Sequence, residues 1–373
     1  MRRRNLLIIL LISVCIWAFG PQDSEGAYAQ QESPRVIAAT PPVTSLTIED
    51  PSSEPTTDTN TLDLPSVSDE PAGEEVNIIK TEPVLQPTAR VITEPQADKQ
   101  WALNEIDMNG LWQMSTGSSQ IRVAVLDTGI DDSHPDLSGQ VVAETNIATS
   151  GKPNDSHGHG THIAGIIAAK DNNEGIIGIA PDCALLNVKV ADDMGRCQAS
   201  DLAEGIIWAA DNGADVINVS IEIHEPYSKL EKAINYAWEK GSLVVAAAGN
   251  GGGDSPVYPA SYENCLAVSA IDSDQDLTTL SNHGDWVDLA APGSEIYSTL
   301  PEKSYGYKSG TSFACAHISG IAALLFDLVN DTNDNGRTND EVADILKSSC
   351  QDINLSGIGS GLINATVTLS YLP

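Results

Sequence analysis

A chain of 373 residues with 52 Asp and Glu against 19 Lys and Arg has a net charge of −33. That balance excludes a broad basic face for nucleic acid or for an anionic membrane surface. Hydrophobic residues make up 41% of the chain, with few aromatics (5%), so it holds the material for a sizeable core. Its length allows one large domain with extra segments, or two modest domains.

The N-terminus reads as an export signal. Arg2, Arg3 and Arg4 precede an apolar stretch from Leu6 to Phe19, and Ala27-Tyr28-Ala29 has the small-x-small pattern of a cleavage site. The apolar stretch is shorter than the roughly 20 residues of a membrane span. Residues 1–29 are therefore expected to be a signal peptide and the chain to be secreted, without stable membrane insertion. An uncleaved N-terminal anchor is the alternative. Cys15 follows Val14, where a lipoprotein signal would want a small residue.

Residues 30–98 hold 13 acidic and 3 basic residues, many Pro, Ser and Thr, and no apolar period. Such a stretch cannot bury enough surface to offset the entropy of ordering it, so a disordered linker or pro-segment is expected. From residue 99 the texture changes. Ile121 to Leu126 is a near-continuous apolar run, as are Leu185 to Val190, Val216 to Val219, Leu243 to Ala247 and Leu266 to Ile271. Runs of this kind suit strands buried on both faces. Between them, Ser200 to Asn212 and Tyr227 to Lys240 read as amphipathic helices, stopped by Gly213 and Gly241. Strands alternating with helices imply a mostly parallel sheet covered on both faces, and 99–373 reads as one α/β domain. Five cysteines follow Cys15, an odd number, so at least one is expected to be free or to pair with another chain.

Three segments carry reactive side chains beside small residues. Asp127, in Val125-Leu126-Asp127-Thr128-Gly129, sits at the carboxyl end of a predicted strand, the edge where ligands gather in open parallel sheets. His159 lies in His157-Gly158-His159-Gly160-Thr161-His162, at a predicted helix start. The alternating histidines lack the i, i+4 spacing and intervening Glu of a zinc-binding helix. Ser312, in Gly310-Thr311-Ser312-Phe313-Ala314, opens a long apolar helix whose positive end could stabilise an oxyanion. Each alone admits a structural reading: a turn cap for Asp127, a helix cap for Ser312.

Taken together, in the order Asp, His, Ser, these segments resemble the subtilisin-like serine peptidases (subtilases), and among them the thermitase-like group. Ala246-Ala247-Ala248-Gly249-Asn250 and Ala290-Ala291-Pro292-Gly293 belong to the same resemblance. It implies a three-layer subtilisin-like fold. It implies a serine endopeptidase that cleaves protein or peptide substrates through an acyl-enzyme, with Ser312 as nucleophile, His159 as base, Asp127 orienting it and Asn250 in the oxyanion hole. No organic cofactor is implied. A catalytically silent binding protein on the same scaffold is the competing class.

The resemblance also implies substrate contacts at Ser220, Ile221, Glu222, Gly249 and Val257. Glu222 replaces a usual glycine, and Val257 stands where a smaller residue often floors the first specificity pocket. Val257 would favour small side chains; Glu222, aided by Asp192 and Asp193, would attract a basic one, or would simply face solvent. Cys315-Ala316 replaces the usual Thr-Pro after the nucleophile. A structural calcium site is implied at Asp136 and Asn172 with the carbonyls of Lys170, Glu174 and Ile176, and Asp98 aligns loosely as a further ligand. Asp331, Asn333, Asn335 and Gly336 mimic an EF-hand loop, but Val342 stands at its twelfth position, so a polar turn is expected there.

Overall fold

Residues buried on both sides of a strand need cover on both faces, and the structure supplies it. The computed structural model describes residues 92–148 and 152–372. The expected signal peptide, and the expected linker up to residue 91, lie outside these residues. Residues 92–98, read from sequence as the end of a disordered segment, are instead seated on the domain. Glu94 is buried, the Gln96 N–H donates to the Gly175 carbonyl (2.8 Å), and Ala97–Lys99 form a 3-10 turn. The apolar side chain of Ile92 packs on the main core.

Eleven strands are formed by the described residues: β1 Arg122–Asp127, β2 Val141–Asn146, β3 Ala184–Lys189, β4 Val216–Val219, β5 Leu243–Ala247, β6 Cys265–Ile271, β7 Leu289–Pro292, β8 Ile296–Leu300, β9 Ser304–Lys308, β10 Cys350–Gln351 and β11 Leu362–Ile363. Nine of these build one sheet in the order β10-β11-β7-β6-β5-β4-β1-β3-β2, parallel except for β10 with β11. Strands β8 and β9 form a separate antiparallel hairpin. The helices are α1 Trp101–Glu105, α2 Met108–Met114, α3 His159–Ala168, α4 Ala199–Asp211, α5 Ser228–Glu239, α6 Thr311–Leu328 and α7 Asn339–Ser348.

The two-residue period of a strand divides the core in two. In β1, Val123 and Val125 join a cluster with α3, α6 and α7, whereas Ala124 and Leu126 join one with α4 and α5. Strand β5 divides in the same way, Val245 to one side and Val244 and Ala246 to the other. The result is three layers, as expected for a mostly parallel sheet. The expected central strands and both expected helices are present to within about one or two residues, the usual uncertainty of element ends. Gly213 (φ 71°) and Gly241 (φ 90°) take the left-handed conformation that ends a helix. Helix α6 is apolar all round because it runs through the core, buried along most of its length.

From β1 the chain reaches β3 on one side and then β4 on the other. Strand order therefore reverses at β1, which opens a crevice beyond the carboxyl ends of the strands. Helix α3 is clamped above it by the β8–β9 hairpin. Ser298 Oγ donates to the His162 carbonyl (2.8 Å) and Thr299 Oγ1 to the Thr161 carbonyl (2.7 Å). Gly165 faces these two hydroxyls, and a Cβ there would overlap both. Because each hydroxyl is held by its hydrogen bond, neither can give way. Gly165→Ala should therefore destabilise the fold by about 1–3 kcal/mol, the usual range for overpacking. Denaturant titration checks this; an unchanged midpoint would show that the clamp is looser than described.

Candidate active site

Asp127 ends β1 with no exposed surface. His159 is the first residue of α3, and its Nδ1 lies 2.8 Å from Asp127 Oδ1 and 2.9 Å from Oδ2. A carboxylate offers only lone pairs, so Nδ1 carries the proton of this hydrogen bond. The Thr128 N–H also donates to Asp127 Oδ1 (2.7 Å). Gly160 permits this approach of helix to strand. A Cβ on it would overlap the Gly129 carbonyl oxygen and lie 3.0 Å from the Asp127 Cβ.

A second buried carboxylate fixes the start of α3. Asp155 Oδ1 accepts the Thr128 hydroxyl (2.9 Å) and the N–H groups of His157 (3.0 Å) and Gly158 (2.8 Å). Its Oδ2 accepts the N–H (2.9 Å) and hydroxyl (2.7 Å) of Thr161. Thr128 Oγ1 in turn accepts the Gly160 N–H (3.1 Å). Asp155 thus satisfies N–H groups that a helix start leaves without partners, and its charge suits the positive end of the helix. Its role was not read from the sequence, although an acidic residue just before a helix is a capping signal.

Of the other histidines of the cluster, His157 also lines the cleft shared by His159 and Ser312, whereas His162 does not. His162 is buried, with Nε2 3.1 Å from the Gly306 carbonyl and its ring against Phe313. Burial holds it well below the ordinary histidine range. Burial likewise lowers His157, helped by the charge of neighbouring His159.

Ser312 is the second residue of α6 and opens on the same cleft as His159, a cavity of about 1150 Å³. Asn250 follows β5. Its Oδ1 accepts the Thr311 N–H (2.9 Å) and hydroxyl (3.3 Å). The Nδ2 group then has no protein acceptor among the described residues, while Asn250 lines the cleft with Ser312. Asn282, unremarked in the sequence, braces this loop. Its Oδ1 accepts the N–H groups of Gly251 (3.0 Å) and Gly253 (3.2 Å), and its Nδ2 donates to the Ala248 carbonyl (2.9 Å).

Ser220, Ile221, Glu222 and Gly249 all line the cleft. Ser220 Oγ donates to the Ser312 carbonyl (3.2 Å). Glu222 does not face solvent: it is 6% exposed, and its Oε2 accepts the Asn250 N–H (2.9 Å). Val257 is buried, and a Cβ at Gly249 would meet its Cγ2 at 3.2 Å and overlap Glu222 Oε2. Asp192 and Asp193 do not assist Glu222, because each is held within its own loop. Asp192 binds Arg196 (2.7 Å), and Asp193 binds the buried Lys189 (2.9 Å), whose ammonium also donates to the Thr128 carbonyl. Cys315 is in the serine helix α6, on its sheet-facing side, with its Sγ near Asn218 Oδ1 (3.2 Å) and the Val245 carbonyl (3.3 Å). Burial pushes its thiol up to about 12, so it is no thiolate near neutral pH. Cys183, Cys197, Cys265 and Cys350 are also free thiols.

Away from the cleft, the loop 170–176 wraps Asp136. Lys170 N–H donates to the Asp136 carbonyl (2.9 Å), while Ile176 N–H (3.1 Å) and the Tyr305 hydroxyl (3.0 Å) donate to Oδ2. Oδ1 is buried without a hydrogen-bond partner. Burial raises the Asp136 carboxyl above the ordinary range. Asn172 Oδ1 accepts the Glu174 N–H (2.8 Å). Glu94, rather than the exposed Asp98, reaches this loop: its Oε1 accepts the Asn173 N–H (2.7 Å), and its Oε2 is buried without a hydrogen-bond partner. The EF-hand-like segment is a self-bonded turn, in which Asp331 accepts the N–H groups of Asn335 (3.2 Å) and Gly336 (2.7 Å).

Known proteins share this arrangement of fold and sequence. The model of the Subtilase family matches residues 118–361. Thermophilic serine proteinase of Bacillus sp. (strain AK1) is 44% identical over 266 residues, which span 70% of this chain and 64% of that protein, less than two thirds of its length. Thermitase of Thermoactinomyces vulgaris is 39% identical over 279 residues, 74% of this chain and 97% of thermitase. Among solved structures, a protease of Pseudoalteromonas arctica PAMC 21717 superposes with a TM-score of 0.69 at 29% identity, covering 75% of this chain and 99% of that one.

Proposed function

The chain belongs to the subtilase family of serine endopeptidases, and from that premise we propose that it cleaves peptide bonds with Ser312 as nucleophile, His159 as base and acid, and Asp127 as the group that orients the imidazole. The buried Asp127–His159 contact beside Ser312 in one cleft carries this reading.

A serine hydroxyl is a weak nucleophile near neutral pH. His159 Nε2 takes its proton as Oγ bonds to the scissile carbonyl carbon. The carbonyl electrons move onto oxygen, where the Ser312 N–H, at a helix start without an intrahelical acceptor, and Asn250 Nδ2 would donate. The C–N bond then breaks, and the leaving amine takes the proton from His159. Water, deprotonated by the same base, releases the acyl group. Asp127 stabilises the imidazolium throughout. Glu222 holds the Asn250 backbone, so it acts on the oxyanion side of this chemistry. Val257 is buried against Gly249 rather than lining the cleft itself; by the resemblance it would shorten the pocket there and favour small side chains before the scissile bond.

A structural calcium ion fits the loop around Asp136. The buried, unpartnered Oδ1 of Asp136 and Oε2 of Glu94 are hard oxygen donors of the kind calcium takes. Asp136, Glu94 and Asn172, with the carbonyls of Lys170, Glu174 and Ile176, would hold it. Bound there, it would tie the N-terminal segment to the catalytic domain; it takes no part in peptide cleavage. The basic N-region, the apolar stretch of residues 6–19 and Ala27-Tyr28-Ala29 support export of the chain.

Four measurements test these assignments. A fluorophosphonate probe should label the mature protein and fail to label Ser312→Ala, and Asn250→Ala should lower kcat by about 100- to 1000-fold, the loss known for the corresponding donor in subtilisin. Labelling that survives Ser312→Ala would remove the nucleophile assignment. Chelation should lower the melting temperature of the wild type and leave that of Asp136→Asn nearly unmoved; equal responses would place any calcium elsewhere. N-terminal sequencing of protein recovered from the medium should begin after Ala29 or later, whereas an intact Met1 would favour the anchor.

A further inference from the structure

The cleft carries a cation that the reaction above does not use. Lys308 is the last residue of β9, four positions before Ser312, and it lines the cleft with Tyr307. It is the one Lys or Arg among the described residues that line the cleft, which also include Asp272, Asp276 and Glu295. Yet among the described residues Lys308 has no ion pair and its ammonium donates no hydrogen bond. The two carboxylates that act on it through space are already spent. Asp127 is committed to His159 and the Thr128 N–H, and both oxygens of Asp155 hold the start of α3. Burial lowers the Lys308 ammonium below its usual range, as expected of a partly desolvated charge without a counter-ion.

Its position says which part of a substrate it meets. Strand β9 lies against α3, since the Gly306 carbonyl faces His162, and the Lys308 charge is felt by His157 and His162. Lys308 is therefore on the His159 side of the nucleophile. Gly249, Asn250 and Glu222 line the cleft as a cluster of their own, joined by the Glu222–Asn250 hydrogen bond. His159 hands its proton to the leaving amine, so the leaving peptide occupies the histidine side.

Resting on the reading given under Proposed function, we propose that Lys308 is a specificity residue that receives an acidic side chain from the residue just after the scissile bond. An Asp or Glu there supplies the missing counter-ion in a partly dry site, where an ion pair is worth more than at an exposed surface. The enzyme would thus favour Xaa-Asp and Xaa-Glu bonds with a small Xaa.

The test compares cleavage of internally quenched peptides that differ only after the scissile bond: Asp, Ala or Lys in a peptide with an amidated end, and Ala as a free C-terminal carboxylate. For the full chain as secreted, kcat/KM for Asp should exceed that for Ala by about tenfold, fall toward Ala at high salt, and exceed that for Lys by more. The Asp:Ala ratio, read within each variant so that any general loss cancels, should drop to near one in Lys308→Gln, invert against Lys in Lys308→Glu, and persist in Lys308→Arg. Cleavage without a preference for Asp, or a preference that survives Lys308→Gln, overturns the inference and leaves the peptidase assignment standing. A gain confined to the free Ala carboxylate overturns the side-chain assignment in favour of a terminal carboxylate. No cleavage of any peptide, together with no fluorophosphonate labelling, overturns the peptidase reading and this inference with it.

Discussion

One contact, the buried hydrogen bond between Asp127 and His159, constrains most of the structure around it. A carboxylate with no exposed surface needs donors, and here they are the imidazole Nδ1–H and the Thr128 N–H. To deliver that imidazole, α3 must begin almost on top of β1. Gly160 allows the approach, Asp155 binds the first N–H groups of the helix, and the Ser298 and Thr299 hydroxyls press on it from the hairpin. A loss at any of these points moves the ring, not just the helix.

The cleft is also organised by where its charges are spent. Glu222 is tied to the Asn250 backbone, Asp192 to Arg196, Asp193 to Lys189, and Asp155 to α3. Each of these carboxylates stabilises a loop that presents the site, while Asp272, Asp276 and Glu295 line the cleft that holds Ser312. Among the described residues that line the cleft, Lys308 is the one lysine or arginine. Placed on the leaving-group side, it gives the cleft a polarity along the direction in which a peptide would lie.

Much of this was legible in the sequence where local signals carry the information. A strand buried on both faces is written as an unbroken apolar run, and the order of the Asp, His and Ser motifs pointed to one family. The small residues beside His159 and Ser312 marked the close approaches. Other features depend on packing that no local pattern reports. The α1 and α2 helices are short, and β10 and β11 are two residues each, below the length at which a period can be read. Strands β8 and β9 are a hairpin of mixed exposure rather than apolar runs. From sequence Glu222 reads as a solvent or pocket group; its hydrogen bond to the Asn250 N–H arises only from the folded loop. Glu94 lay in a stretch read as disordered, because the loop that orders it is some 80 residues away in sequence. Lys308 carried no signal at all: that its neighbours' carboxylates are committed elsewhere is a property of the folded site.

The central claim is that Asp127 holds His159 in the tautomer with Nδ1 protonated and Nε2 ready to accept the serine proton. Nitrogen-15 NMR of the histidine rings, assigned with His159→Ala, reads this most directly. The account predicts a neutral His159 ring protonated at Nδ1, with that proton shifted far downfield and lost from this position in Asp127→Asn. A His159 ring protonated at Nε2 in the folded wild-type protein, or an Nδ1 signal indifferent to Asp127→Asn, would contradict it.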